Sequence, residues 1–282
     1  MVTNMLNVNN EYGLLKKVLV ASVETFRIHP PINKTQEYYY RYDPPKLWKM
    51  IDEQRNFFSV LKKNNVEIIL AEKREDCTNQ INTRDVAFVI GNTFVVSQMK
   101  EKERQNEHLA LAGLLKTFDS NDNVCYPDRG VIEGGDIVLD NDRIFVGISE
   151  RTNAYGVEWL KQTFKNKKII PIYLEKGFLH LDVVFNLIAP DCAIVAAQGI
   201  RADSLNSLKA MYELIYAEEK EQLFLPTNVF SINEHTVIVD PRNMSTNQKL
   251  ERIGKDLIEV EFSENSKIGG SFRCSTCPLI RK

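Results

Sequence analysis

Five polar residues stand at almost even intervals along this chain. Asp85, Glu133, His180, Asn228 and Cys274 are 48, 47, 48 and 46 residues apart. They are two carboxylates, an imidazole, an amide and a thiol, and Asp182 adds a third carboxylate. In a ring of similar units, equivalent positions meet around one axis. The spacing therefore predicts one central cavity lined by this set. Three carboxylates against one histidine and one cysteine are costly to bury without compensation. Such a cavity needs a divalent metal or a cationic substrate. A thiol beside hard oxygen ligands is an awkward metal site. A planar guanidinium fits better, because it presents five N–H donors and pairs bidentately with carboxylates. A thiolate placed opposite could attack its central carbon. To ionise, the thiol needs a nearby base or positive charge, and Arg273 and His180 are the candidates.

Taken singly, each residue has a plainer reading. Asp85 and Glu133 suit turn caps, His180 a satisfied core histidine, and Cys274 a half-buried strand cysteine. The Cys274-x-x-Cys277 pair has no second pair to complete a zinc site. Its place in a late strand-like run is wrong for a thioredoxin-type redox motif.

The elements that must position these residues recur as a β-hairpin, a helix and a strand. Hairpins are read at 85–98, 135–149, 181–197 and 228–240, from paired β-branched and aromatic runs across short polar turns. Helical patterns follow at 101–118, 153–165, 203–217 and 245–257, with strands at 168–174 and 257–262. Near the start, a helix over 46–64 precedes a strand at 66–70, with Trp48, Ile51, Phe58 and Leu61, and Met50 and Phe57 nearby, as its apolar face. Two strands lack partners, 14–23 and 272–280. Pairing them completes a fifth unit and closes a ring without exposed edges. On a strand, His180 and Asp182 point to the same face. Gly134 and Gly135 let the backbone after Glu133 bend or approach a neighbour closely. The glycine-rich segment 269–271 is a flexible entry to Cys274.

At 282 residues, length alone suggests two domains. Five units of about 47 residues make it one domain spanning residues 1–282. With 36 basic and 38 acidic side chains, no basic excess favours nucleic acid or an anionic membrane. Five cysteines do not make a disulfide scaffold. The apolar stretch 183–200 is broken by Asn186, Pro190, Asp191 and Gln198, so no membrane span is expected. The segment 1–13 has no basic and apolar regions of a signal peptide. A cytoplasmic protein with reduced thiols is the expectation.

These residues and their surroundings resemble the guanidino-group-modifying superfamily, the pentein or amidinotransferase fold, which includes arginine deiminase and dimethylarginine dimethylaminohydrolase. The resemblance runs through EYGLLKKVLV (11–20), TRDVAFVIG (83–91), EGGDIVL (133–139), GISERTN (147–153), HLDVVFNLI (180–188) and GGSFRCSTCPLIR (269–281). It implies an α/β fold, a five-bladed α/β propeller of ββαβ units with pseudo-fivefold symmetry. It also implies that Cys274 is the nucleophile and His180 the general acid/base. Glu133 would orient the histidine or bond the substrate, and Asp85 and Asp182 would hold the guanidinium. Arg104 and Arg151 match arginines that bind a substrate α-carboxylate, and the ring position puts Asn228 among the substrate-binding residues. No cofactor is implied. The expected partner is a small guanidino substrate, with a homodimer left open. The motif His180-x-Asp182 and the run CSTCPLIR point to an arginine deiminase-type hydrolase. The alternatives are an arginine dihydrolase, a dimethylarginine dimethylaminohydrolase, an amidinotransferase to an amine, and a non-catalytic guanidino binder.

Overall fold

The structure, a computed structural model, describes residues 6–119 and 124–282. The start of the segment read for a signal peptide, residues 1–5, lies outside them. The first elements are β1 (Leu15–Val20), α1 (Lys34–Tyr42), α2 (Leu47–Lys63) and β2 (Glu67–Leu70). A four-residue turn of helix, α3 (Thr83–Val86), leads into β3 (Ala87–Ile90), β4 (Thr93–Val96), α4 (Ala112–Asp119) and β5 (Val124–Cys125). Next come β6 (Ile137–Asp140), β7 (Arg143–Ile148), α5 (Ala154–Thr163) and β8 (Lys168–Tyr173). They are followed by β9 (Phe185–Ala189), β10 (Cys192–Val195), α6 (Ala202–Lys209) and β11 (Glu213–Tyr216). The chain ends with β12 (Phe230–Ser231), β13 (Thr236–Val239), α7 (Met244–Arg252), β14 (Asp256–Glu259) and β15 (Cys277–Arg281).

These strands form five three-stranded sheets among the described residues. In four of them, consecutive strands pair as an antiparallel hairpin, and the strand after the helix adds in parallel to the second. The fifth joins the two ends of the chain. β15 pairs antiparallel with β1, Leu19 facing Cys277, and β2 adds in parallel. Residues ahead of β1 fasten neighbouring sheets together. Val8 exchanges backbone hydrogen bonds with Gly91, and the Asn141 amide donates to the Asn9 carbonyl. Gly91 sits at the β3–β4 turn with φ of +60°, a left-handed conformation that favours glycine. No helix among the described residues is long and apolar enough to cross a membrane.

Several elements differ from the sequence reading. The helix expected over 203–217 stops at Lys209, because Glu213–Tyr216 pairs along the open edge of β10. The helix expected over 101–118 is two 3-10 turns, Lys102–Arg104 and Glu107–Leu111, and then α4. Arg104 ends the first of these turns and Glu107 begins the second, and their buried side chains pair. In α2 the buried stripe is Met50, Gln54, Phe57 and Leu61, whereas Trp48 is 66% exposed. The largest difference concerns the positions expected at strand starts. Asp85 lies in α3, Glu133 precedes the 3-10 turn Gly134–Asp136, and His180 precedes the turn Leu181–Val183. Cys274 lies in a turn ahead of β15. A tight turn thus sits before the leading strand where an extended chain was expected.

Phe57 is fully buried, with its ring 5.5 Å from Phe262 and 5.2 Å from Phe272. These contacts seat the segment that leads to Cys274. Phe57→Ala is expected to lower stability by about 3–5 kcal/mol in urea unfolding.

Candidate active site

All five sheets contribute to one buried centre, each through residues that precede its leading strand. His180, Asp182 and Glu133 are completely inaccessible, and Asp85 and Cys274 are 2% exposed. His180 reaches this centre from just ahead of a 3-10 turn and Asp182 from within it, and this turn replaces the strand alternation expected for them. Gly135 is needed for the approach. A Cβ there would lie 2.8 Å from Asp85 Oδ1 and from the His180 ring.

The His180 Nε2 and Glu133 Oε2 are 2.8 Å apart, and Nδ1 lies 3.6 Å from Asp85 Oδ1. Burial alone would lower the His180 pKa. The Asp85 charge and the Glu133 hydrogen bond outweigh it and hold the group up at about 9. The ring is therefore an imidazolium at neutral pH. Glu133 is fixed in turn, since its Oε1 accepts from the Lys100 amide at 3.0 Å.

Cys274 sits beside Asp182, with Sγ 3.4 Å from Oδ2. Asn228 donates from Nδ2 to Sγ at 3.2 Å and accepts at Oδ1 from the amides of Ser271 and Cys274. Its amide group is thus spent on the thiol and its loop. Burial, then Asp182 and Asp85, push the Cys274 thiol well above its usual range, so it is protonated in this state.

The charge count made from sequence is altered by two arginines. Arg104 Nη1 donates to Asp85 Oδ2 at 2.6 Å, and its remaining donors engage Glu107 and the Asn82 carbonyl. Arg273 Nη1 donates to Asp182 Oδ2 at 2.9 Å. The protein itself therefore supplies cations that the sequence reading left to a ligand. Each carboxylate nevertheless keeps one oxygen open. Asp85 Oδ1 and Asp182 Oδ1 are buried with no hydrogen-bond partner, as are His180 Nδ1 and Arg151 Nη1. Arg151 Nη2 donates to the Ile32 carbonyl at 2.6 Å, and its Nη1 is 3.7 Å from Glu133 Oε2.

The segment around Ile32 is tied to the site through this Arg151 hydrogen bond. Asn33 and Gln36 side chains both donate to the Ile268 carbonyl, ahead of the Cys274 turn. The segment 269–271, read as a flexible entry, is buried and held by Asn228 through Ser271. A cleft beside it is lined by Asn33, Lys34, Glu150, Phe178, Gln222 and Gly269. It also touches Leu179 and Val183, which flank the His180 turn.

Among the described residues, Asp85, Glu133 and His180 form the group able to hold a metal ion, their ligand atoms lying within 4.8 Å of one another. The guanidinium groups of Arg104 and Arg151, paired with two of these residues, oppose a dication there. Sequence reasoning gave no role to Glu11 or Glu107. Each is a buried acid tied to a site arginine, and the EYG motif holding Glu11 was the available signal.

Residues 31–281 match the family model of eukaryotic N,N-dimethylarginine dimethylhydrolase. The uncharacterised protein YkgA of Bacillus subtilis (strain 168) is 38% identical over 273 residues, covering 96% of this chain and 94% of YkgA. The arginine deiminase of Listeria monocytogenes serovar 1/2a is 30% identical over 284 residues. That match takes in 84% of this chain and 66% of the deiminase, so the chain spans just under two thirds of that relative. Among solved structures, the amidinotransferase SxtG of Microseira wollei superposes with a TM-score of 0.83 at 23% identity, over 98% of this chain and 97% of that one. At that identity the likeness is one of fold.

His180 has its pKa raised from 6.5 to about 9. Its stabilising contribution is complete below pH 6.5 and is lost as pH rises through about 9. Imidazole NMR should show the titration near pH 9, and Glu133→Gln should move it down by at least one unit. A His180 titration unchanged in Glu133→Gln would refute this coupling.

Proposed function

This chain belongs to the guanidino-group-modifying superfamily that includes the N,N-dimethylarginine dimethylhydrolases, and we propose that it hydrolyses the terminal guanidinium of arginine to citrulline and ammonia. The observation that carries this reading is the pair of buried oxygens Asp85 Oδ1 and Asp182 Oδ1, neither of which has a hydrogen-bond partner, the former facing only His180 Nδ1 at 3.6 Å. Each suits an N–H donor of a guanidinium set against the thiol. An oxygen on each side favours a substrate with unmodified terminal nitrogens, because a dimethylated nitrogen has no N–H to give Asp182. That separates this chain's substrate from the one in the name of the matched family. Residues 1–282 act as one domain, its five sheets arranged as five blades about the site.

The roles follow from the contacts. Guanidinium binding adds a positive charge beside Cys274 and favours loss of the thiol proton to solvent. The thiolate attacks the guanidinium carbon and forms a C–S bond. His180 gives its proton to the departing nitrogen, the C–N bond breaks, and ammonia leaves. The covalent intermediate is an S-alkylthiouronium. Neutral His180 then takes a proton from water, which attacks the same carbon. The C–S bond breaks, citrulline leaves, and a second proton restores the thiol. Glu133 holds the imidazole and Asn228 holds the thiol. Arg104 fixes Asp85, and the open Nη1 of Arg151 takes the substrate α-carboxylate. This chemistry asks for no cofactor.

The test is a substrate panel of arginine, methylated arginines, agmatine, and arginine with glycine, read by mass spectrometry. Citrulline from arginine is expected, with dimethylarginine turned over at least tenfold less well. Cys274→Ser should abolish turnover. Asp182→Asn should lower kcat/KM for arginine by roughly 10²-fold, the cost of losing a charged hydrogen bond to the reacting group. In wild type, kcat should fall as pH rises through about 9, where His180 loses its proton. Preference for dimethylarginine, or full activity in Cys274→Ser, would overturn the proposal.

A further inference from the structure

We infer that Glu11 is a positioning residue for this reaction, acting through Arg273 on Asp182 and Cys274. This rests on Cys274 being the nucleophile. Glu11 comes from the N-terminal end of the chain, 263 positions before Cys274, and is 4% exposed. Its Oε1 accepts from Arg273 Nη2 at 2.9 Å and from the Leu139 amide at 3.2 Å. The other end of the same guanidinium, Nη1, donates to Asp182 Oδ2 at 2.9 Å. That oxygen is the one 3.4 Å from the Cys274 sulfur. Arg273 is thus a rigid fork between two carboxylates, one in the site and one beneath it. The Ile137 carbonyl, accepting from Nη2 at 2.6 Å, fixes the plane of the fork.

This geometry has two consequences. The first is mechanical. Asp182 presents its open Oδ1 to the substrate because Oδ2 is held, and Arg273 can hold it only while its own far end is anchored. The second is electrostatic. Glu11 is the carboxylate around which Arg84, Arg273 and Arg281 gather, and these arginines outweigh burial to keep it ionised, at about 2. Cys274 itself faces Asp182, Asp85, Asn228 and Arg273. With Glu11 ionised, part of the Arg273 field is cancelled, and burial with the two site carboxylates keeps the empty-site thiol protonated. With Glu11 neutralised, that field falls on Asp182 and Cys274 undiminished. The thiol then ionises more readily while the clamp on Asp182 loosens.

Glu11→Gln therefore moves two readouts in opposite senses. The pH midpoint for iodoacetamide alkylation of Cys274, measured without substrate, should fall by about one unit or more, as removal of a buried neighbouring charge does. At the same time kcat for arginine should drop by about tenfold or more, as loss of positioning does. Glu11→Asp, which keeps the charge, should retain the wild-type alkylation midpoint. In an Arg273→Met background, adding Glu11→Gln should shift the midpoint no further. If Glu11→Gln does not fold, Glu11→Gln with Arg84→Met removes one unopposed cation, and the same fall is read against Arg84→Met alone. A purely structural Glu11 would reduce stability without acidifying the thiol. An unchanged or raised midpoint, or an equal shift in the Arg273→Met background, overturns the inference. Alkylation is read without turnover, so failure to process any guanidino compound would defeat the proposed function separately.

Discussion

The site depends on two buried carboxylates that are each satisfied at one oxygen only. Asp85 and Asp182 are held at Oδ2 by Arg104 and Arg273, and both are left without a hydrogen bond at Oδ1. A buried carboxylate with no partner would take up a proton rather than stay charged. A carboxylate satisfied at both oxygens would have nothing to offer a cation. The half-paired state keeps a partner on each acid while leaving an oxygen to offer, although burial still raises the Asp182 pKa against the pull of Arg273, and it imposes demands on the surroundings. Each clamping arginine needs its own acid at the far end, and Glu107 and Glu11 supply it. The 3-10 turns around 102–111, and the seating of the chain's beginning against its end, are what bring those acids into place.

That second demand gives the joined termini a chemical meaning. Glu11 lies before β1 and Arg273 before β15, and these two strands pair with each other. The Cys274 thiol thus lies beside an acid whose arginine partner is paired across the two ends of the chain. Arg84 reinforces the junction, its amide donating to the Cys274 carbonyl and its Nε to the Thr276 carbonyl. Disturbing the strand pairing would disturb Asp182 and the thiol together.

Much of this was legible in the sequence. The hairpins were readable because β-branched runs flank short polar turns, as at Gly91-Asn92, and the terminal strands were matched because each lacked a partner. The near-even spacing of Asp85, Glu133, His180, Asn228 and Cys274 identified residues that the fold brings to one centre. Spacing along a chain carries no side-chain direction, however. It could not show that Asn228 turns to the sulfur, nor that His180 caps a 3-10 turn that contains Asp182. It also could not show that Arg104 and Arg273 already neutralise the two acids, because guanidinium pairing across about 20 or 90 residues leaves no periodic trace. The helical pattern over 203–217 misled for a related reason. The exposed edge of β10 recruits Glu213–Tyr216 as a strand whatever its local periodicity.

In the proposed reaction, Cys274 attacks a guanidinium held by Oδ1 of Asp85 and of Asp182 while ammonia departs. The most direct measurement is rapid acid quench of the protein during arginine turnover, followed by intact and peptide mass spectrometry. An adduct is expected on the peptide containing Cys274, with the mass of arginine less ammonia, because the alkyl chain stays attached in the S-alkylthiouronium. An adduct of the amidino group alone would mean that the amine, not ammonia, leaves first. That result, or no adduct on Cys274 while citrulline accumulates, would contradict the account.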